Sequence, residues 1–130
     1  MTDSRQRLIV VDDEASIRRS LAAYLEDEGY AVDEAASAEE GLAMIHRTAP
    51  GLAIVDMRLP GMDGHGFIRQ AHDLLPAMKF IICTGSSGYT LPPAIRAIGL
   101  LPQHVFRKPL ADLAELGAAV RDMLQAGVLP

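Results

Sequence analysis

Four short apolar runs and one partly polar run divide the chain. Three of them, Leu8–Val11, Leu52–Val55 and Phe80–Cys83, contain no charged or strongly polar residue. Such runs are typical of strands that are buried on both faces of a parallel sheet. The weaker run Val105–Phe106 predicts another short strand, and the partly alternating Tyr30–Ala35 predicts a strand at the sheet edge. The pattern therefore predicts five strands.

Helical spacing of apolar residues fills each stretch between these strands and also follows the last one. The apolar positions are Ile17, Leu21, Tyr24 and Leu25; Leu42 and Ile45; Phe67, Ile68, Ala71, Leu74 and Leu75; Ala94–Ile98; and Leu113, Leu116, Val120 and Leu124. Gly29 is placed to end the first helix, and Ser37 with Glu40 forms a capping box for the second. Strand and helix alternate five times, which predicts an α/β fold with a parallel sheet and helices on both faces.

Polar side chains follow four of the predicted strands. Asp12 and Asp13 come after the first strand, Asp56 after the third, Thr84 after the fourth and Lys108 after the fifth. The carboxyl ends of parallel strands lie along one edge of a sheet, where ligands bind in a crevice. The sequence therefore predicts a single pocket that contains three carboxylates, a hydroxyl and an ammonium group.

Three clustered carboxylates repel one another unless one is protonated or a cation holds them ionised. Oxygen ligands without histidine or cysteine favour a hard cation, and we expect Mg²⁺, or Mn²⁺ in its place. Such a pocket suits phosphoryl transfer: Asp56 is an ionised nucleophile that needs no general base, and Lys108 and Thr84 are placed to meet phosphoryl oxygens. The alternative is an acid–lysine network with a purely structural role.

The motifs around these residues resemble the receiver domain of two-component response regulators. They are Val10–Glu14, Ile54–Gly64, Thr84–Gly85 and Arg107–Pro109, which occur in order at successive strand ends. The resemblance covers nearly the whole chain. It implies a flavodoxin-like, doubly wound fold of strand order 2-1-3-4-5, with residues 1–130 as a single receiver domain and no output domain in this chain.

The resemblance also implies a role for each site residue. Asp56 would accept the phosphoryl group from a histidine kinase or a histidine phosphotransfer protein. Asp13, Asp56 and the backbone carbonyl of Arg58 would ligate the metal directly, and Asp12 would act through a bound water. Thr84 and Lys108 would bind the phosphoryl group. The implied protein is not a turnover enzyme on an external substrate. The family also tends to have a cis peptide bond at the position of Lys108–Pro109.

Two features depart from the family pattern. Val105 stands where the family usually has an aromatic residue that responds to the threonine, and the neighbouring Phe106 should face the opposite side of the sheet and pack in the core. The segment Gly85–His104 contains Pro92–Pro93, which predicts a late and short fourth helix. We therefore expect a mobile or remodelled fourth helix. In the family, the face formed by the fourth helix, fifth strand and fifth helix often carries dimer contacts, so a homodimer through it is expected.

Composition limits the partners and the location that are expected for this domain. The 130 residues carry a net charge of −5, which argues against nucleic acid or an anionic membrane as the partner. The only cysteine, Cys83, lies in an apolar run and is expected to be buried and inert. The start, Met1–Arg7, resembles neither a signal peptide nor a membrane span, so a cytoplasmic location is expected. The four histidines, His46, His65, His72 and His104, share no ligand spacing and are expected at the surface.

Other functions compete with this interpretation. Hydrolases that form an aspartyl phosphate carry a second acid two residues after the nucleophile, but Arg58 occupies that position. A flavodoxin-like cofactor domain is disfavoured because acids at the crevice would repel a flavin phosphate. A degenerate receiver that binds partners independently of phosphorylation stays open, because Val105 interrupts the usual signalling path.

Overall fold

The computed structural model describes residues 4–125, so the first three residues of the segment Met1–Arg7 lie outside the described part. Strands and helices alternate: β1 (Arg7–Val11), α1 (Ala15–Asp27), β2 (Ala31–Ala35), α2 (Ala38–Thr48), β3 (Leu52–Asp56), α3 (Gly64–Leu74), β4 (Lys79–Thr84), α4 (Pro93–Ile98), β5 (Val105–Arg107) and α5 (Leu113–Gln125). A 3₁₀ turn, Pro102–His104, precedes β5. The predicted order of elements is confirmed, including a fourth helix that starts at Pro93 and is only six residues long.

The five strands form one parallel sheet in the order β2-β1-β3-β4-β5. The expected flavodoxin-like fold and strand order are therefore confirmed, and β2 lies at an edge as its polar residues predicted. Asp56 pairs in register with Cys83, and Thr84 pairs with Arg107. This register brings the last residues of β3, β4 and β5 to the same edge of the sheet.

Alternate strand residues serve two separate cores, one on each face of the sheet. Ile9 and Val11 of β1 belong to the core that α2, α3 and α4 cover. Leu8 and Val10 belong to the core that α1 and α5 cover. Two covered faces explain why the central strands are apolar at every position, since both sides of each strand must be buried. Each face then adds hydrophobic stabilisation of ~25 cal/mol per Å² of apolar surface removed from water.

Val105, which departs from the family pattern, and its neighbour Phe106 lie on opposite faces of the sheet. Val105 packs against the core beneath α2, α3 and α4, whereas Phe106 packs against the core beneath α1 and α5. The expectation that Phe106 contributes to a core is confirmed. No aromatic side chain from β5 therefore points toward the face on which Thr84 and Val105 meet.

Local chemistry accounts for several helix ends. The Ser37 Oγ accepts a hydrogen bond from the Glu40 N–H at 3.1 Å, which caps α2. The Asp63 Oδ1 accepts one from the Gly66 N–H at 2.9 Å, which caps α3. Gly29, just after α1, has a φ of +102°, a backbone region that glycine adopts without steric cost. Across residues 4–125, no helix is long and apolar enough to cross a lipid bilayer.

Candidate functional site

Three carboxylates converge at the carboxyl edge of the sheet. One oxygen from each of Asp12, Asp13 and Asp56 lies within 4.8 Å of the other two. Asp12 and Asp56 are buried, at 4% and 6% exposure, whereas Asp13 is exposed. The cluster therefore has two carboxylates anchored in the protein and one that faces the open side of the crevice.

Hydrogen bonds from nearby backbone N–H groups hold the two buried carboxylates in place. The Asp12 Oδ1 accepts a hydrogen bond from the Glu14 N–H at 2.9 Å, and the Asp56 Oδ1 accepts one from the Arg58 N–H at 3.3 Å. Arg18 adds a support that the sequence pattern does not reveal. Its Nη1 donates to the Asp12 backbone carbonyl at 2.9 Å while its Nε donates to Glu34 at 3.1 Å. Each carboxylate retains a second oxygen for other partners.

Lys108, the residue directly after the fifth strand, reaches both buried acids. Its Nζ lies 2.8 Å from the Asp12 Oδ2, 3.2 Å from the Asp56 Oδ2 and 3.8 Å from a Glu14 oxygen. Its backbone N–H donates to the Thr84 carbonyl at 2.8 Å, which fixes the start of the side chain. The Lys108–Pro109 peptide bond is cis, as the resemblance implied.

Charge in the crevice is unbalanced. Burial raises the pKa of Asp56, and the negative charge of Asp12 raises it further, while Lys108 opposes both. Burial by itself lowers the pKa of Lys108, but the hydrogen bond to Asp12, the charge of Asp12 and the pairing with Asp56 outweigh it and raise that pKa. One ammonium group thus faces several carboxylates, and the Asp56 carboxyl holds its proton more tightly than an isolated carboxyl does.

The residues of the crevice fit a divalent metal. The donors are all carboxylate oxygens, which are the ligands that Mg²⁺ and Mn²⁺ prefer, and three of them approach closely enough to share an ion. The surplus negative charge of the crevice also favours binding of a divalent cation. The Arg58 backbone carbonyl, expected from the resemblance to be a further ligand, belongs to a residue that lines the same crevice.

The crevice is wider than the predicted residues alone suggest. A cavity of about 1080 Å³ extends from Asp13, Asp56 and Lys108 to the side chains of His65 and Tyr89. Thr84 lies in its wall with 5% exposure, and its Oγ1 accepts a hydrogen bond from the Ser86 N–H at 3.1 Å. The structure therefore brings Asp12, Asp13, Asp56, Thr84 and Lys108 together as expected, and adds two ring-bearing residues.

The expectation that all four histidines lie at the surface holds in full for only one of them. His46 is exposed, but the other three are partly buried. The Nε2 of His65 lies 2.6 Å from the Tyr89 Oη, and the His104 Nδ1 accepts a hydrogen bond from the Leu101 N–H at 3.1 Å. The Nδ1 of His72 is buried without a hydrogen-bond partner among the described residues. Spacing along the chain carried no signal for these contacts, because each depends on how a loop folds.

Comparison with known proteins agrees with this architecture. The response regulator receiver domain family matches residues 8–121. A CheY-like receiver domain protein from Methanospirillum hungatei JF-1 is 33% identical with a TM-score of 0.79, over 95% of this chain and 96% of that one. The receiver domain of the hybrid histidine kinase CckA is 29% identical with a TM-score of 0.73, over 92% and 99% of the two chains.

Curated relatives extend the comparison. Sporulation initiation phosphotransferase F of Bacillus subtilis is 29% identical over 119 residues, which cover 92% of this chain and 94% of the relative. The C4-dicarboxylate transport transcriptional regulatory protein DctD of Rhizobium meliloti is 34% identical over 104 residues, or 80% of this chain, but these are only 22% of its own length. Several other relatives are matched over less than a third of their length. The family match spans most of the chain, and the chain belongs to the receiver domain family of two-component response regulators.

Proposed function

We propose that this domain accepts a phosphoryl group on Asp56 and changes its partner binding in response. The observation that carries the proposal is the position of Asp56 at the carboxyl end of β3, with Lys108 3.2 Å away and the oxygens of Asp12 and Asp13 beside it. This set provides a nucleophile, a cation for phosphoryl oxygens and ligands for a metal. Those are the parts that phosphoryl transfer requires.

In the proposed reaction, an Asp56 carboxylate oxygen attacks the phosphorus of a phosphohistidine. The bond between phosphorus and the imidazole nitrogen breaks as the bond between phosphorus and oxygen forms, and the nitrogen keeps the electron pair. Asp56 takes no part in proton transfer, since its carboxylate is the attacking form. Phosphotransfer and later hydrolysis of the acyl phosphate both occur on the domain itself, so it is not a turnover enzyme on an external substrate.

Each remaining residue of the crevice has a proposed task. Asp12, Asp13, Asp56 and the Arg58 carbonyl would hold Mg²⁺ or Mn²⁺, with Asp12 acting through water. The bound ion supplies positive charge for the phosphoryl oxygens. Lys108 would pair with a phosphoryl oxygen once its contact with Asp56 is exchanged. Thr84 would donate its hydroxyl proton, because its Oγ already accepts from the Ser86 N–H and needs no further donor.

The proposed partners follow from the family and from named relatives. One relative is called a phosphotransferase and one similar structure is a receiver domain of a hybrid histidine kinase. We propose a histidine kinase or a histidine phosphotransfer protein as the donor, in the cytoplasm, and a homodimer through the face of α4, β5 and α5. With a net charge of −5, neither nucleic acid nor an anionic membrane is a proposed partner of this domain.

Intact mass spectrometry tests the acceptor site. The full chain is incubated with acetyl phosphate and Mg²⁺, and wild type is compared with Asp56→Asn and with Asp73→Asn, which changes an exposed acid on α3. A gain of one phosphoryl group by wild type and Asp73→Asn, absent in Asp56→Asn and abolished by EDTA, is expected. No adduct in rapidly quenched wild type would contradict the proposal and favour a binding module that acts without phosphorylation.

A further inference from the structure

A hydrogen-bonded pair of rings lies across the crevice. His65, in the first turn of α3, and Tyr89, in the loop between β4 and α4, are joined by the 2.6 Å contact between Nε2 and Oη. Their ring centroids are 5.7 Å apart and the planes are inclined by 33°. Both rings line the cavity that contains Asp56 and Lys108. The pair therefore connects the wall of the acceptor cavity to the segment that leads into α4.

Few other hydrogen bonds hold this loop. Within residues 4–125, the segment Gly85–Leu91 contains a turn at Ser87–Gly88 but makes no main-chain hydrogen bond to the rest of the domain. Two side-chain contacts connect the loop to the site instead: the Ser86 N–H donates to the Thr84 Oγ1, and Tyr89 contacts His65. Gly85–Gly88 is exposed. A loop held by so few hydrogen bonds rearranges at low cost, so its conformation is sensitive to each of them.

Tyr89 also borders a second cavity. This space of about 630 Å³ lies beside Val105, whose short side chain leaves it open, and it shares Thr84 with the acceptor cavity. Leu91 lines it as well, and both Leu91 and Tyr89 pack against the core beneath α4. The phenol ring thus lies between two cavities, and the second one offers it the apolar side chains of Val105 and Leu91 among polar residues.

We propose that Tyr89 moves between two positions, bound to His65 in the unphosphorylated domain and inserted beside Val105 when Thr84 turns toward a phosphoryl group on Asp56. The inference rests on the proposed function. The Ser86 N–H, three residues before Tyr89 in the same loop, donates to the Thr84 Oγ1, so a turn of the Thr84 hydroxyl draws the loop with it. Movement of Tyr89 then alters the surface between α4 and β5.

A switch requires the two positions to be close in free energy. Leaving His65 costs one hydrogen bond, and a single such bond shifts a two-position equilibrium by roughly two- to tenfold. Entry beside Val105 buries more of the ring, which offsets part of this cost. The cavity that Tyr89 would fill is also lined by Arg96 and Arg107 and by no carboxylate, so filling it removes an anion-accepting space from the partner surface.

Fluorine NMR on the full chain tests the proposal. The chain has three tyrosines and no tryptophan, so uniform 3-fluorotyrosine labelling gives three resonances, and Tyr89→Phe assigns one of them. Mg²⁺ with beryllofluoride, a phosphoryl mimic, is then added. The Tyr89 resonance is expected to shift by more than its line width. Those of Tyr24 and Tyr30, which pack against the core on the other face, are expected to stay in place.

Two variants identify the two positions. His65→Phe keeps a ring but removes the nitrogen that contacts Tyr89. In the free domain of this variant, the ratio of the activated to the resting position of Tyr89 is expected to rise roughly two- to tenfold, which shifts the Tyr89 resonance toward its activated value. His46→Phe, an exposed substitution on α2, is the control and should not move it. In Val105→Phe the second cavity is filled, and beryllofluoride should no longer shift the Tyr89 resonance.

The same spectra separate the two proposals, because bound beryllofluoride gives its own fluorine resonances. Bound mimic without a shift of Tyr89 overturns the switch and leaves the acceptor function standing. Bound mimic with a shift that persists in Val105→Phe overturns the second position of the ring. No bound mimic, together with no mass adduct, overturns both the switch and the acceptor function.

Discussion

The Nζ of Lys108 lies 2.8 Å from the Oδ2 of Asp12, a residue ninety-six positions earlier in the chain. The same Nζ is 3.2 Å from Asp56, so one ammonium group compensates two buried carboxylates. In the metal-free domain this contact is both a structural restraint and a competitor for the oxygens that a metal would need.

Removing the Lys108 ammonium group should show whether it competes with a metal for the oxygens of Asp12 and Asp56. Lys108→Met leaves Asp12 and Asp56 without their cation, and we expect the metal-free domain to lose about 2 kcal/mol of unfolding free energy. Mg²⁺ should recover much of the loss and should bind more tightly than to wild type, since no lysine competes. Urea unfolding with and without Mg²⁺ measures both effects. Lys79→Met, at the opposite end of β4, is the control, and weaker Mg²⁺ binding by Lys108→Met than by wild type would contradict this account.

The raised pKa of Asp56 leads to a prediction about the free energy of unfolding. Burial and the charge of Asp12 cause the folded domain to bind the Asp56 proton more tightly than the unfolded chain does. Asp56→Asn removes the buried charge, so we expect it to stabilise the metal-free domain at neutral pH by ~1 kcal/mol. Urea unfolding in EDTA measures the difference, with Asp73→Asn as the matched control.

The same linkage fixes the pH dependence of that difference. A raised carboxyl pKa contributes stability that is present at low pH and is lost as the pH rises through the folded-state pKa. The advantage of Asp56→Asn over wild type should therefore shrink as the pH falls through the pKa of Asp56. An advantage that grows on acidification would mean that Lys108 dominates the crevice and holds Asp56 ionised.

Gly64 lies where α3 begins, directly against the backbone after Asp56. A Cβ at this position would come within 2.6 Å of the Asp56 carbonyl oxygen and 2.9 Å of the Met57 Cα. Backbone atoms cannot move aside cheaply, so Gly64→Ala should cost about 2–3 kcal/mol. It should also slow phosphorylation by acetyl phosphate. Gly88→Ala, where a Cβ meets nothing within 4 Å, is the control for the measured unfolding free energy. Equal stability of the two variants would show that the start of α3 adjusts freely.

Cys83 is expected to be unreactive while the domain is folded. Burial raises the pKa of its thiol to about 12, so the reactive thiolate is scarce at neutral pH and is shielded as well. Alkylation by iodoacetamide should follow the rate of unfolding and should accelerate in urea as the protein unfolds. Rapid alkylation in buffer alone would show that β4 opens locally. The thiol of free cysteine under the same conditions provides the reference rate.

Periodicity was sufficient to predict the five strands, the five helices and their alternation, because hydrophobic burial in a layered α/β fold imposes the same pattern on any chain that adopts it. The Ser37 cap and the short α4 after Pro92–Pro93 were also predicted, since a cap and a proline act within a few residues. Asp12, Asp56 and Thr84 stand at strand ends in the sequence. Their meeting in one crevice was predicted from the rule that parallel strands share a carboxyl edge.

Tertiary structure decided the contacts between segments that are distant in sequence. Three contacts depend on such meetings: Lys108 with Asp12 and Asp56, Arg18 with Asp12, and His65 with Tyr89. Each requires a helix, a loop or a strand end to meet another segment at a particular angle. Hydrophobic spacing does not encode such angles. The sequence by itself therefore determined the fold and the residue types of the crevice, while tertiary contacts determined which of these side chains touch, because hydrogen bonds and ion pairs depend on distances of a few tenths of an ångström.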